Sequence, residues 1–147
     1  MTHHLITAGL AVLGALLLPP AAVDTYPKNP GIDALNYAFT IELSDTTDMI
    51  AGELALDVRF VAAGVRAVRL DLISASATAG GKGMRVSGVT MNGQAVPYTH
   101  ANDVLLVPLA SAPAINQRAR LMVRYQCTPA TGLKMGNNKY GDRTFLS

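Results

Sequence analysis

From Tyr37 onward apolar side chains recur at every second residue, and that period decides most of what the chain can become. Tyr37, Phe39, Ile41 and Leu43 alternate with Ala38, Thr40 and Glu42. Leu54, Leu56, Val58 and Phe60 alternate with Ala55, Asp57 and Arg59, and Val68, Leu70 and Leu72 alternate with Arg69 and Asp71. A strand points successive side chains to opposite faces, so each segment is expected to have one core face and one wet face. One-sided burial of this kind belongs to antiparallel sheets, because parallel strands covered on both faces read as continuous apolar runs.

The same reading continues downstream. Residues 84–91 form a shorter strand, and Asn92-Gly93 after it suits a type I′ hairpin turn, whose two central residues need positive φ. Residues 94–98 are its partner, and Pro97 confines that partner to a sheet edge, since proline cannot donate to a ladder. Residues 104–107 are an apolar run expected to be buried on both sides. Leu121, Val123 and Tyr125, alternating with Met122 and Arg124, mark the last clear strand. Turn formers separate these segments at Ser44-Asp45-Thr46-Thr47-Asp48, across the small-residue loop 75–83, and at Ser111-Ala112-Pro113. No internal repeat and no long stripe of helical period interrupts them. The expected fold is all-β: an antiparallel β-sandwich or saddle-like curved sheet of about seven or more strands.

Ahead of the strands, Leu5 to Leu18 is a run of apolar and small residues broken only by Thr7. Pro19-Pro20 ends it, and no Asp, Glu, Lys or Arg occurs before Asp24. The run is too short to cross a bilayer comfortably and fits the core of a secretory signal peptide, with Ala21 and Ala22 supplying small residues for cleavage. Residues 1–23 are therefore expected to be a signal-peptide helix, or an N-terminal membrane anchor if left uncleaved. The protein is expected to be exported to the periplasm or the extracellular space. Met1-Thr2-His3-His4 lacks Lys and Arg, and Pro20 interrupts an Ala-x-Ala pattern. Residues 24–35, with Pro27, Pro30 and Gly31, read as a lead-in, and 36–147 as the β domain.

Composition excludes several classes. Hydrophobic residues make up 50% and charged residues 15% of the chain, which is not a solvating tail. A leaderless chain of about 120 residues buries roughly two-thirds of its unfolded surface, enough for a core. Twelve Lys and Arg stand against ten Asp and Glu, and the arginines are scattered. Only Arg118, Arg120 and Arg124 make a short stripe, expected to be a solvated strand face, so no nucleic-acid partner is expected. Cys127 is the sole cysteine, which excludes an internal disulfide and suggests a buried, inert thiol. Pairing with a cysteine beyond residue 147 stays open.

Catalytic signatures are missing. His100 is the only histidine outside the leader and is expected in the surface loop 99–102, without the second histidine that a His-Glu-x-x-His zinc helix needs. There is no Gly-x-Ser-x-Gly elbow, phosphate-binding loop or paired-cysteine motif. Glu42 and Glu53 fall on polar strand faces. Asp57 and Asp71 could be imagined as an acid–base pair, but are expected instead to pair with Arg59 or Arg69 across strands.

The end of the chain carries a resemblance. Gln126-Cys127-Thr128-Pro129-Ala130-Thr131-Gly132-Leu133-Lys134 leaves the last strand, followed by Met135-Gly136-Asn137-Asn138-Lys139-Tyr140-Gly141-Asp142-Arg143-Thr144-Phe145-Leu146-Ser147. This resembles the close of the N-terminal β domain of M1 family zinc aminopeptidases, of the membrane alanyl aminopeptidase (aminopeptidase N-like) kind. There a Gly-Leu segment leads into a stretch like Asn-Lys-Tyr-Gly-Asp-Arg-Thr-Phe. Leu146 stands where that family would have an aromatic. Upstream, Asp33-Ala34-Leu35-Asn36-Tyr37, Ile50-Ala51-Gly52-Glu53, Val68-Arg69-Leu70-Asp71-Leu72 and Val89-Thr90-Met91-Asn92-Gly93 are similar to successive strands and turns of the same domain.

The resemblance implies a truncated, non-catalytic N-terminal domain of a secreted zinc aminopeptidase, one that packs against the catalytic domain and helps wall the peptide cleft. The whole enzyme would remove N-terminal residues from peptides. The family's zinc ligands and its Gly-x-Met-Glu-Asn loop lie in the following domain, so no catalytic residue, metal ligand or cofactor is carried over to this chain. The implied partner is the downstream catalytic domain of the same polypeptide, with peptide substrate bound only by the full-length enzyme. Asn138, Lys139, Tyr140, Asp142 and Arg143 are the candidates for an interdomain or cleft-facing role, against a plain capping role. The alternative is a free-standing secreted binding or adhesion module; the lack of tryptophan argues against a sugar-stacking platform. A non-catalytic scaffold relative is a third class.

Overall fold

The computed structural model describes residues 29–146, and the leader 1–23 with its expected signal helix or anchor lies outside them. Ten strands follow one another: β1 (Ile32–Glu42), β2 (Ile50–Phe60), β3 (Ala67–Asp71), β4 (Gly83–Met91), β5 (Gln94–Ala95), β6 (Thr99–Ala101), β7 (Val104–Pro108), β8 (Arg118–Thr128), β9 (Lys134–Asn137) and β10 (Arg143–Leu146). The described residues contain no helix. One layer is a five-stranded sheet in the order β1-β2-β8-β4-β5, the other a three-stranded sheet in the order β3-β7-β6, and β9 and β10 form a separate hairpin. Every strand pairing is antiparallel, as the one-sided alternation requires.

Register aligns the apolar rows into one face. Leu54, Leu56 and Val58 of β2 stand opposite Val123, Leu121 and Ala119 of β8. Val89 and Met91 of β4 continue the rows opposite Val123 and Leu121. Val68, Leu105 and Val107 of the smaller sheet complete the core, with Leu105, Val107 and Leu121 wholly excluded from solvent. Each large side chain buried here contributes about 1.5–3 kcal/mol relative to exposure. Among the described residues no polar or charged residue is buried, so the core carries no desolvation penalty of that kind.

The opposite face of the large sheet is charged. Arg120 of β8 makes a two-pronged contact with Asp57 of β2 at 2.7 and 2.8 Å, and Arg124 Nε donates to Glu53 at 2.7 Å. Arg59 pairs with Asp33 of β1. The expected pairing of Asp57 or Asp71 with Arg59 or Arg69 across strands is thus corrected. Asp57 meets Arg120 because β8, not β3, lies beside β2. Arg69 and Asp71 pair along β3 itself, two residues apart on one face. These pairs are partly to largely solvent-exposed, so each adds little to stability.

Several expectations change with the neighbours. β6 occupies residues expected as the loop around His100: Asn102 and Asp103 adopt positive φ (51° and 61°) and close a two-residue hairpin onto β7. Residues 104–107 are buried on one side only, since Leu106 is 39% exposed while Leu105 and Val107 are covered. The hairpin at Asn92-Gly93 forms with φ of 51° and 82°, and β5 stops before Pro97 at the sheet edge. β9 and β10 arise in the tail, beyond the strand taken as the last clear one.

β1 departs furthest from expectation. Tyr37 and Phe39 pair with Leu56 and Leu54 and so share the core face, yet they are 52% and 59% exposed. Ile41 and Leu43 are exposed too. The row expected as core points inward over ground that the three-stranded sheet does not reach.

Candidate functional site

The five residues singled out near the end fall together, four in the β9–β10 turn and Arg143 at the start of β10, and the fold gives them different work. Asn138 organises the turn. Its side-chain Oδ1 accepts from the backbone N–H groups of Tyr140 (2.8 Å) and Asp142 (2.9 Å), its Nδ2 donates to Asp142 Oδ2 (3.2 Å), and its own N–H donates to the Asp142 carbonyl (2.8 Å). Asparagine suits this because its short amide mimics a backbone turn. Gly141 follows at φ 92°, where a side chain would be strained. Arg143 turns away from the tip and pairs with Asp48, in the connection leading into β2, which fastens the hairpin to the body of the domain. Lys139 and Tyr140 remain at the tip, the ammonium 4.7 Å from the ring centroid and Tyr140 76% exposed. Asn138, Asp142 and Arg143 therefore hold the turn, while Lys139 and Tyr140 are presented to solvent.

The segment that leads from β8 into β9 borders a feature that the alternation does not reveal. An apolar cavity of about 330 Å³ opens between Ile41, Leu43, Ile50, Ile73, Tyr125 and Leu133, with Cys127 also in its wall. It is the inner end of the ground left open beside β1. Alternation showed that these side chains share a face, but nothing in a strand's own sequence says which layer covers it.

The chemistry available here is sparse. Burial pushes the Cys127 thiol up from its ordinary pKa, opposite to what a nucleophile needs. Burial also raises Tyr125, with a smaller contribution from Cys127. On the charged face, hydrogen bonding from Arg120 holds the Asp57 carboxyl below its usual value against a smaller opposing effect of burial. Asp57 is thus a settled carboxylate rather than a proton donor. His100 Nε2 lies 2.8 Å from the Leu72 carbonyl, which can only accept, so this nitrogen carries the proton and is committed to the backbone. Among the described residues no three His, Cys, Asp or Glu side chains gather where a metal could sit.

No family model matches the chain, and no curated protein matches it. Solved structures do. An M1 zinc metallopeptidase from Deinococcus radiodurans superposes with a TM-score of 0.55 at 24% identity, over 67% of this chain and 21% of that one. A mutant of it bound to a Tyr-Ser-Ala substrate gives 0.56 at 24% identity, over 71% and 22%. A two-domain M1 zinc metallopeptidase mutant bound to L-tryptophan gives 0.55 at 21% identity, over 74% and 22%. The zinc of those proteins has no fitting donor set among the described residues here: His100 is tied to a carbonyl and Cys127 is buried without histidine or carboxylate company. The chain has the fold of one region of M1 zinc metallopeptidases and spans about a fifth of their length.

Proposed function

We propose that this chain is the N-terminal β domain of an exported M1-type zinc aminopeptidase, a part without catalytic groups that packs against a catalytic domain following it in the same polypeptide and helps wall the peptide cleft. The whole enzyme would remove N-terminal residues from peptides. The observation that carries the reading is the fold likeness to M1 metallopeptidases over two-thirds or more of the chain. The tail from Asn137 to Phe145, which resembles the close of that domain, supports it from an independent direction. The apolar leader supports export. Within the β9–β10 turn, exposed Lys139 and Tyr140 are the side chains free to meet a neighbouring domain, since Asn138, Asp142 and Arg143 are engaged in holding the turn.

The test is twofold. The purified 147-residue chain should release no amino acid from aminoacyl substrates and bind no stoichiometric zinc; measured turnover defeats the reading. The DNA that follows codon 147 should continue in frame into a His-Glu-x-x-His helix. A natural stop there, followed by unrelated sequence, would favour a free-standing binding module instead.

A further inference from the structure

β9 and β10 pair only with each other, so their hairpin shares no strand ladder with either layer. Among the described residues its hydrogen bonds are internal with a single exception: they lie in the Asn138–Asp142 turn and between Thr144 Oγ1 and the Gly136 carbonyl. The exception is Arg143 Nη2, which donates to Asp48 Oδ1 in the connection before β2. On the approach side, residues 129–133 take part in none of the turn and loop backbone hydrogen bonds of the described residues. Within that approach Gly132 stands at φ 85°, and a β-carbon there would meet nothing within 4 Å. Glycine takes positive and negative φ with similar ease, so the chain can turn here at little cost. Directly after it come Leu133, in the wall of the apolar cavity with Cys127, and Met135, packed against the core.

We infer that the hairpin is a hinged flap, turning as one body about Thr131-Gly132 and latched by the Arg143–Asp48 ion pair, and that its opening draws Leu133 out of the cavity wall and uncovers Cys127. The latch is balanced rather than tight. The Arg143 side chain is 19% exposed but that of Asp48 is 59% exposed, so solvent screens the pair from one side. Arg143 Nε is buried without a hydrogen-bond partner, a cost that hydration relieves once the side chain leaves its seat. Closure is favoured by the apolar contacts of Leu133 and Met135 and by the charge of Asp48. Opening is favoured by hydration of the guanidinium and by freedom at Gly132. Small terms in opposition leave both positions populated, with the closed one in excess. The hairpin can swing without melting, because its ladder and the bonds of Asn138 run through neither the hinge nor the latch.

Cys127 is a natural reporter, as the sole thiol of the chain. Maleimide labelling at one fixed pH is timed in the 147-residue chain, in Asp48→Ala, which removes the latch, and in Asp48→Glu, which keeps a carboxylate. Urea midpoints and hydrogen exchange of the amides in residues 134–146 are measured on the same three proteins. Asp48→Ala should label roughly two- to fivefold faster, the change expected from losing one partly exposed ion pair. Its hairpin amides and its urea midpoint should stay with the parent, because the flap moves whole and the core is untouched. Asp48→Glu should label close to the parent rate. An unchanged labelling rate in Asp48→Ala overturns the flap. Faster labelling with a matching loss of protection inside the hairpin overturns it in favour of local melting, and faster labelling with a lower midpoint overturns it in favour of global unfolding. Asp48→Glu labelling as fast as Asp48→Ala overturns the ion pair as the latch.

Discussion

The Tyr125 ring lies directly over Gly52, its cross-strand partner, so closely that a β-carbon at position 52 would stand 2.2 Å from Tyr125 Cζ. The glycine is there for space rather than for a special backbone angle. Without it the ring could not lie down across the sheet and close the floor of the apolar cavity. Gly52→Ala should push the ring toward the cavity and cost about 1–3 kcal/mol, read from the midpoint of urea unfolding. In a Tyr125→Ala background the same change should cost almost nothing. Additive costs in the double-mutant cycle would show that the two residues are not coupled.

The two ends of the apolar pattern should respond oppositely to truncation. Leu121 is fully enclosed between the sheets, so Leu121→Ala should destabilise by about 2–5 kcal/mol through lost transfer energy and a residual cavity. Phe39 has the same alternating context but stacks on Tyr37 in the open, with ring centroids 6.2 Å apart. Phe39→Ala should change the unfolding free energy of this chain by no more than about 0.5 kcal/mol. A large loss at position 39 would mean that β1 is covered in solution.

That contrast marks how far the sequence could be read. Alternation located β1, β2, β3 and β8 and named part of the core, Leu54, Leu56, Val58, Phe60, Val68, Leu121, Val123 and Tyr125, because a side chain's face follows from its position along the strand. Asn92-Gly93 gave its turn because both residues tolerate positive φ, whereas Asn102-Asp103 does the same work and passed as loop, its β-strand partner 99–101 being short and polar. What alternation cannot report is the second layer. Whether Phe39 is covered depends on strands distant in sequence, and so does Asp57 choosing Arg120 over a neighbour in β3. Of the candidate site, the tail motif brought five residues to attention, but only the geometry separates Asn138, which builds the turn, from Tyr140, which is displayed by it.

Asn138 is the test of that separation. Its side chain satisfies two backbone N–H groups of the turn and reaches Asp142. Asn138→Ala should loosen the hairpin by about 1–2 kcal/mol locally. Protease cleavage within residues 134–146 should speed up, while the global unfolding midpoint stays within error of the parent because β9 and β10 form a sheet of their own. Tyr140→Ala, by contrast, should leave both measurements unchanged, because the exposed ring takes no part in holding the turn.

Cys127 gives the fold an alkaline limit. Burial raises its pKa in the folded chain, so the protonated thiol is favoured there, while an unfolded chain titrates near about pH 8.5. Below that pH both states hold the proton and the thiol makes stability independent of pH. As pH rises past it, the unfolded chain releases its proton first, and stability falls until the folded pKa is passed. Tyr125 extends the decline at higher pH, its phenol being raised by the same burial. The urea midpoint should therefore be level between about pH 6 and 8 and drop between about pH 8.5 and 10. Cys127→Ala should start lower, because a buried side chain has been shortened, yet lose the first part of that drop. A profile for the variant that parallels the parent throughout would assign the alkaline limit to another group.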